Sequence, residues 1–318
     1  MKIIHLDAFT STMDGLELTA LEAFENFTAF KNTSPEKVVK RSKDADILIT
    51  NKVELTKEVI DQLPNLKYIC VAATGYNVVD VKHAAKKGIP VSNVSGYSTD
   101  GVVQSVFAHL LNVLINIPFY DEEVMDGRWQ KTGSFCFYDH SIKELAGKTL
   151  GIYGFGTIGQ KVGQVAAAFG MKVIATSRNP ERDRKDWATI VDFETLCRES
   201  DFITLHASLN DSNEGIIDKY SLANMKPTAI LVNTGRGGLI VEKDLAEALD
   251  NDVINYACLD VLSSEPPEDN NPLLQAKNCI ITPHIAWASI ESRERLLKGV
   301  AENIESFIAS DKILNQVN

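Results

Sequence analysis

Short apolar runs recur along the chain, separated by stretches whose apolar residues fall at helical spacing. In the first hundred positions, runs at 2–6, 46–50, 66–71 and 90–93 read as strands. Helices are expected at 16–24, at 38–43, at 57–63 before Pro64, and at 81–87 before Gly88. Strand and helix alternate, which predicts a parallel α/β unit. Positions 100–116 form a long apolar helix, with Val102, Val103, Val106, Phe107, Leu110, Leu111 and Leu114 on one stripe. Ser98, Thr99 and Asp100 are its N-cap candidates. Residues 119–140 break the pattern and read as irregular and aromatic: Phe119, Tyr120, Trp129, Phe135, Phe137 and Tyr138. So apolar an excursion needs a cover, from a second subunit or from the same chain.

The second half alternates again. Strands are expected at 148–153, 171–176, 202–206, 229–233, 256–260 and 279–282. Helices are expected at 160–170, from 217, at 243–250, and at 289–310, the last carrying Leu296, Leu297, Val300, Ile304 and Ile308. The first strand of this half runs into Gly154-Phe155-Gly156-Thr157-Ile158-Gly159 and then a helix. Strand, glycine turn, helix, strand is the unit that binds a dinucleotide. Gly154 would allow the tight turn, Gly156 would admit the pyrophosphate, and Gly159 would let the helix pack on the strand. The amides of Thr157 and Ile158 would face the phosphates at the positive end of the helix dipole.

The bulk numbers narrow the partners. A chain of 318 residues suggests two domains at ~150 residues each. The formal net charge of −11 argues against nucleic acid or an anionic membrane as the main partner. No apolar run reaches the ~20 residues of a membrane span. Five cysteines at wide spacing, without a C-x-x-C pair, indicate neither zinc nor a disulfide framework. The opening residues do not read as a signal peptide, so a cytoplasmic protein is expected. No histidine clusters with carboxylates at metal-ligand spacing, so no metal is expected.

Ligands of open α/β sheets bind beyond the carboxyl ends of the strands. There the sequence is polar: Asn233-Thr234-Gly235-Arg236 after one strand, Asp260 and then Glu265-Pro266 after the next, and Thr282-Pro283-His284 after the last. Arg236 offers a planar fork for a carboxylate. His284 can hand a proton to a ketone oxygen. Glu265 would accept a hydrogen bond from the other ring nitrogen, orient the imidazole and favour its charged form. His206 would line the cofactor cleft.

Together these motifs resemble the D-isomer-specific 2-hydroxyacid dehydrogenases, over nearly the whole length. The resemblance implies two Rossmann-like domains with a cleft between them. A flavodoxin-like substrate domain would comprise residues 1–99 and 286–318, and a doubly wound NAD(P)-binding domain residues 100–285. It implies catalytic Arg236, Glu265 and His284, and a homodimer formed largely through the nucleotide domain and the 119–140 region. Cofactor contacts are expected from Gly154, Gly156, Thr157, Ile158, Gly159, Ser177, Arg178, His206, Ala207, Thr234 and Asp260. Within the family, Ala73-Thr74-Gly75-Tyr76-Asn77 and His284-Ile285-Ala286-Trp287 resemble the glycerate dehydrogenase (hydroxypyruvate reductase) group. Substrate contacts are then expected from Thr74, Gly75, Tyr76, Arg236 and Trp287.

Two departures from the family pattern stand out. NAD-preferring members carry an acid at the end of the second Rossmann strand, where this chain has Thr176-Ser177-Arg178. Ser177 and Arg178 would accept a 2′-phosphate, so NADP(H) is favoured over NAD(H). The adenine-side loop reads His206-Ala207-Ser208-Leu209-Asn210, without the family's usual proline, and should be less rigid. The sequence therefore reads as an enzyme that reduces hydroxypyruvate to D-glycerate, with glyoxylate as a further substrate. The alternatives are a dehydrogenase of another D-2-hydroxy acid or a non-catalytic NAD(H)-sensing protein.

Overall fold

The computed structural model describes residues 1–309 and 313–318. The chain forms two compact units, Met1–Ser98 with Trp287–Asn318, and Thr99–Ala286.

The first unit is built on five parallel strands, β1 (Ile3–His5), β2 (Phe27–Ala29), β3 (Ile47–Thr50), β4 (Tyr68–Val71) and β5 (Val91–Ser92), in the order β2-β1-β3-β4-β5. That is the flavodoxin-like order. Every residue of β1, β3 and β4 is buried, because helices cover both faces of the sheet. Alternation splits them between two cores: Ile4, Leu48, Ile69 and Val71 on one face, Ile3, Ile47, Ile49 and Tyr68 on the other. The second face is closed by Leu296, Leu297, Val300 and Ile304 of the helix Ile290–Ala309. Tyr68 stacks on Phe307 of that helix, ring centroids 4.5 Å apart. The expected end of this helix at Ser310 lies outside the described residues.

Two readings of this unit change. The 16–24 helix shrinks to one turn, Thr19–Glu22, preceded by 3-10 turns that bury Ala8 and Ser11. Edge strand β2 was not anticipated, since it is short and none of its residues is fully buried. At the carboxyl edge of the sheet the Asp7 carboxylate accepts from the amides of Asn51 (2.8 Å), Lys52 (2.6 Å) and Val53 (3.0 Å). Asn51 Nδ2 in turn donates to Ala72 O, and Asn93 Nδ2 to Thr74 O, both at 2.7 Å. These bonds fix the loops that follow β3 and β4.

The second unit holds seven parallel strands: β6 (Thr149–Tyr153), β7 (Lys172–Thr176), β8 (Ala188–Ile190), β9 (Phe202–Leu205), β10 (Ile230–Asn233), β11 (Tyr256–Leu259) and β12 (Cys279–Ile281). Their order is β12-β11-β10-β9-β6-β7-β8, the doubly wound arrangement whose direction of growth reverses between β6 and β9. The helix Thr99–Ile115 buries Val103, Val106, Phe107, Leu110 and Leu114 against Leu150 and Ile152 of β6. The region expected to be irregular contains two helices, Ile117–Met125 and Arg128–Thr132. Neither buries a residue, so no apolar stripe marks them in the sequence. No single helix among the described residues is long and apolar enough to cross a membrane.

Candidate active site

All seven strands of the second unit run parallel, so their carboxyl ends form one edge, and the polar motifs lie along it in strand order. On one side are the ends of β6, β7 and β9, which lead into the glycine turn, Ser177 and His206. On the other are the adjacent strands β10, β11 and β12, which lead to Arg236, Glu265 and His284.

The three glycines of the turn do different work. Gly154 has φ +97°, and a Cβ there would stand 2.4 Å from Ala207 N, so the backbone after β9 approaches too closely for any side chain. A Cβ on Gly159 would meet Gly154 O at 2.3 Å, which sets the approach of the helix Thr157–Ala168 to the strand. A Cβ on Gly156 would meet nothing within 4 Å. Gly156 is therefore not required by packing. It is the N-cap of that helix, exposed and without a capping side chain, and the first-turn amides that follow have no acceptor within the helix. Beyond β10, Thr234 Oγ1 is buried with no hydrogen-bond partner. An open glycine cradle, unfilled helix-start donors and an orphan hydroxyl fit a dinucleotide with its phosphates at Gly156.

Ser177 and His206 are already engaged by the protein. The Ser177 hydroxyl donates to Asp183 Oδ2 at 2.6 Å and accepts from Asn179 N at 2.9 Å. Arg178 is exposed. His206 Nε2 pairs with Thr204 Oγ1 at 2.9 Å, and desolvation pushes its pKa well below the ordinary histidine value. The loop after Ala207 lacks the family's proline but is braced by asparagines. Asn213 Oδ1 accepts from Asn210 N at 2.8 Å, and its Nδ2 donates to Ser208 O at 2.9 Å.

In the other half, Asn233 frames the turn that presents Arg236. It is fully buried, accepts from Gly235 N at 3.0 Å and donates to Arg236 O at 2.9 Å. Gly237 must lack a side chain, since a Cβ would lie 1.9 Å from the Leu262 carbonyl carbon. Arg236 itself is half-buried, with one guanidinium nitrogen donating to Gly235 O at 2.7 Å. His284 and Glu265 meet: Nδ1 lies 2.7 Å from Oε2, and Glu265 Oε1 accepts from Leu262 N at 3.3 Å. His284 has φ +53°, a conformation costly for a residue with a Cβ.

Asp260, expected at the cofactor, braces the loop that carries His284. It is 1% exposed, and its carboxylate accepts from Thr282 Oγ1 (2.6 Å), Ile285 N (2.9 Å) and Ala286 N (2.8 Å). Asp183, Asn233 and this role of Asp260 are what the sequence reading missed. For Asn233 a local signal existed, since Asn before a Thr-Gly pair is a common side-chain-bonded turn.

Of the expected substrate residues outside this unit, Thr74 is exposed on the loop after β4, where its hydroxyl donates to Val94 O at 3.2 Å. Gly75 and Tyr76 follow it, and Tyr76 is exposed. Trp287 is half-buried against the first unit's core, its ring edge-on to Tyr97 at 6.4 Å. A cavity of about 830 Å³ lies at the opposite, amino-terminal edge of the seven-stranded sheet, beside Asn112, Tyr120, His140, Tyr256 and Ile280, and none of the three strand-end residues lines it.

Residues 107–286 match the model of the NAD-binding domain of the D-isomer specific 2-hydroxyacid dehydrogenases. The chain belongs to that family, and is an oxidoreductase that uses a nicotinamide cofactor. It is 42% identical to a hydroxypyruvate reductase of Blautia hydrogenotrophica, over 100% of both chains. It is 40% identical to a glycerate dehydrogenase of Methylorubrum extorquens, over 87% of both chains. Among solved structures, an acyclic imino acid reductase in complex with NADPH and D-Arg superposes with a TM-score of 0.87 at 33% identity, over 100% of both chains.

Proposed function

We propose that this protein reduces hydroxypyruvate to D-glycerate, and glyoxylate to glycolate as a further activity. The observation that carries the reading is the 2.7 Å contact between His284 Nδ1 and Glu265 Oε2. A proton on Nδ1 is held by the carboxylate, which leaves Nε2 as the nitrogen that serves the substrate. The nicotinamide, when bound, supplies the hydride. As the carbonyl carbon accepts it, the protonated imidazole gives its Nε2 proton to the oxygen and returns to the neutral Nδ1–H form. Arg236 holds the substrate carboxylate and fixes which face of the ketone is presented. By the family resemblance, Thr74, Gly75, Tyr76 and Trp287 of the first unit are also expected substrate contacts.

The coenzyme is NADP(H) in preference to NAD(H), because Arg178 is an exposed cation two residues beyond β7, where a 2′-phosphate falls in this fold. The protein works as a homodimer, largely through the nucleotide domain and the 119–140 region. That region is braced internally, with Arg128 paired to Asp139 at 2.5 and 2.6 Å and lying over the Phe137 ring. Yet it leaves Phe135 92%, Met125 77% and Tyr138 70% exposed. All five cysteines are free, which suits a reducing, cytoplasmic setting.

A panel of 2-keto acids assayed with NADPH and NADH tests the substrate assignment. The expected result is the highest kcat/KM with hydroxypyruvate, lost in His284→Ala. A bulkier keto acid preferred by more than about tenfold, a difference of ~1.4 kcal/mol in transition-state binding, would overturn it.

A further inference from the structure

The end of β7 carries an acid that the strand itself lacks. Asp183 closes the one-turn helix Pro180–Asp183 and folds back beneath Ser177. It is 5% exposed and pairs with Arg182 through Nε (2.7 Å to Oδ1) and Nη2 (3.1 Å to Oδ2). The Arg182 guanidinium, then the Ser177 hydroxyl, hold this carboxyl below the usual aspartate range, so it is ionised at neutral pH. Tyr153 pairs with Thr176 in register, and Gly154 N donates to Thr176 Oγ1 at 3.4 Å, so this corner abuts the glycine turn.

A serine hydroxyl has one proton to give. Ser177 gives it to Asp183, and its oxygen already accepts from Asn179 N. It has no donor left for a phosphate dianion. Arg178, directly after it, is exposed and makes no ion pair among the described residues. The corner thus sets a free cation against a fixed anion at the place where this fold receives the adenine ribose.

We propose that Asp183 limits the preference for NADPH: its carboxylate withholds Ser177 from the 2′-position and opposes Arg178 there, so that NADH is accepted as well. Asp183 is a positioning residue here, acting through Ser177 and through its charge. The proposal rests on residues 154–178 being the coenzyme site.

Equilibrium binding of NADH and NADPH to the purified protein, followed by coenzyme fluorescence, tests it without reference to turnover. In Asp183→Asn the preference for NADPH over NADH should rise roughly tenfold, the order of effect expected for removing one unit charge at a partly solvated site. Arg178→Ala should move the ratio the opposite way. An unchanged ratio in a folded Asp183→Asn protein that binds both coenzymes overturns the proposal and leaves the coenzyme site standing. Binding of neither coenzyme to the wild-type protein overturns both. Ser177→Ala gives an independent check should the Asn variant misfold. It should keep its NADPH affinity, and a selective loss beyond about fivefold would make Ser177 a phosphate ligand and sink the idea.

Discussion

The Asp260 carboxylate holds the amide of Ala286 at 2.8 Å, and with it the backbone on which His284 is carried. Two further bonds, from Ile285 N and Thr282 Oγ1, complete the grip, and His284 N bonds to the carbonyl of the same aspartate at 2.8 Å. The left-handed backbone at His284 persists because this loop is over-determined. Asp260→Asn replaces an acceptor with an amide donor facing one of these N–H groups. We expect it to cost about 1–3 kcal/mol of stability, the penalty for an unpaired buried polar group. It should also lower kcat more than it weakens coenzyme binding. Thermal unfolding and coenzyme titration separate the two effects.

Glu265→Gln keeps the shape of the contact to His284 but removes its charge. The proton-transfer role predicts a fall in kcat within the range of about 10²–10⁴ seen for loss of acid–base assistance, with coenzyme affinity kept. Arg236→Ala should show itself mainly in KM for the keto acid. Steady-state kinetics with each variant check both, and full turnover in either would remove that residue from the mechanism.

The glycine turn separates folding from ligand binding. Gly154→Ala drives a Cβ to 2.4 Å from Ala207 N at a φ of +97°, so it should lower both Tm and coenzyme affinity. Gly156→Ala adds a methyl that meets no protein atom within 4 Å, so Tm should hold while coenzyme binding weakens. Loss of Tm in Gly156→Ala would show that the residue is needed by the fold.

His5 gives a pH dependence to stability. It is fully buried in β1 with neither ring nitrogen hydrogen-bonded, and burial outweighs the Asp7 charge to pull its pKa from 6.5 down to about 4. Between those values the unfolded chain binds the proton and the folded one does not. The contribution of neutral His5 is therefore complete above pH 6.5 and is lost as pH falls towards 4, about 3 kcal/mol over the window. Urea midpoints measured at pH 7.5 and 4.5 should converge in His5→Leu relative to wild type.

The aromatic 119–140 region offers a test of the dimer. Sedimentation of the wild-type protein should give twice the 35.0 kDa chain mass, and Phe135→Asp, which charges the most exposed aromatic side chain, should shift the population towards the monomer. A monomeric wild-type protein at micromolar concentration would refute the proposal.

Much of this architecture is readable from the sequence because parallel strands buried on both faces leave continuous apolar runs. Ile47-Leu48-Ile49 and Ile230-Leu231-Val232 could hardly be anything else. Arg236 and His284 stand out because each follows such a run closely. β2 and β8 escaped notice, being three residues long with no buried residue between them. The helices Ile117–Met125 and Arg128–Thr132 gave no periodic signal because neither has a buried face. The carboxylates of Asp7 and Asp260 act on amides 25–46 positions away, and Asp260 also on a hydroxyl 22 positions away, pairings that only the sheet creates. Asp183 lies six residues from Ser177, but its direction depends on a single turn of helix.

The strand order has a consequence for how such a protein can change. β7, which leads to the proposed coenzyme corner, and β12, which leads to His284, stand five positions apart in the sheet, a separation of roughly 24 Å at the usual strand spacing. Substitutions at the two ends share no neighbours, so their free-energy effects should add. On the proposed roles, coenzyme choice is thereby a separable trait: a lineage, or an engineer, can exchange one electron donor for the other without retuning the proposed acid at His284.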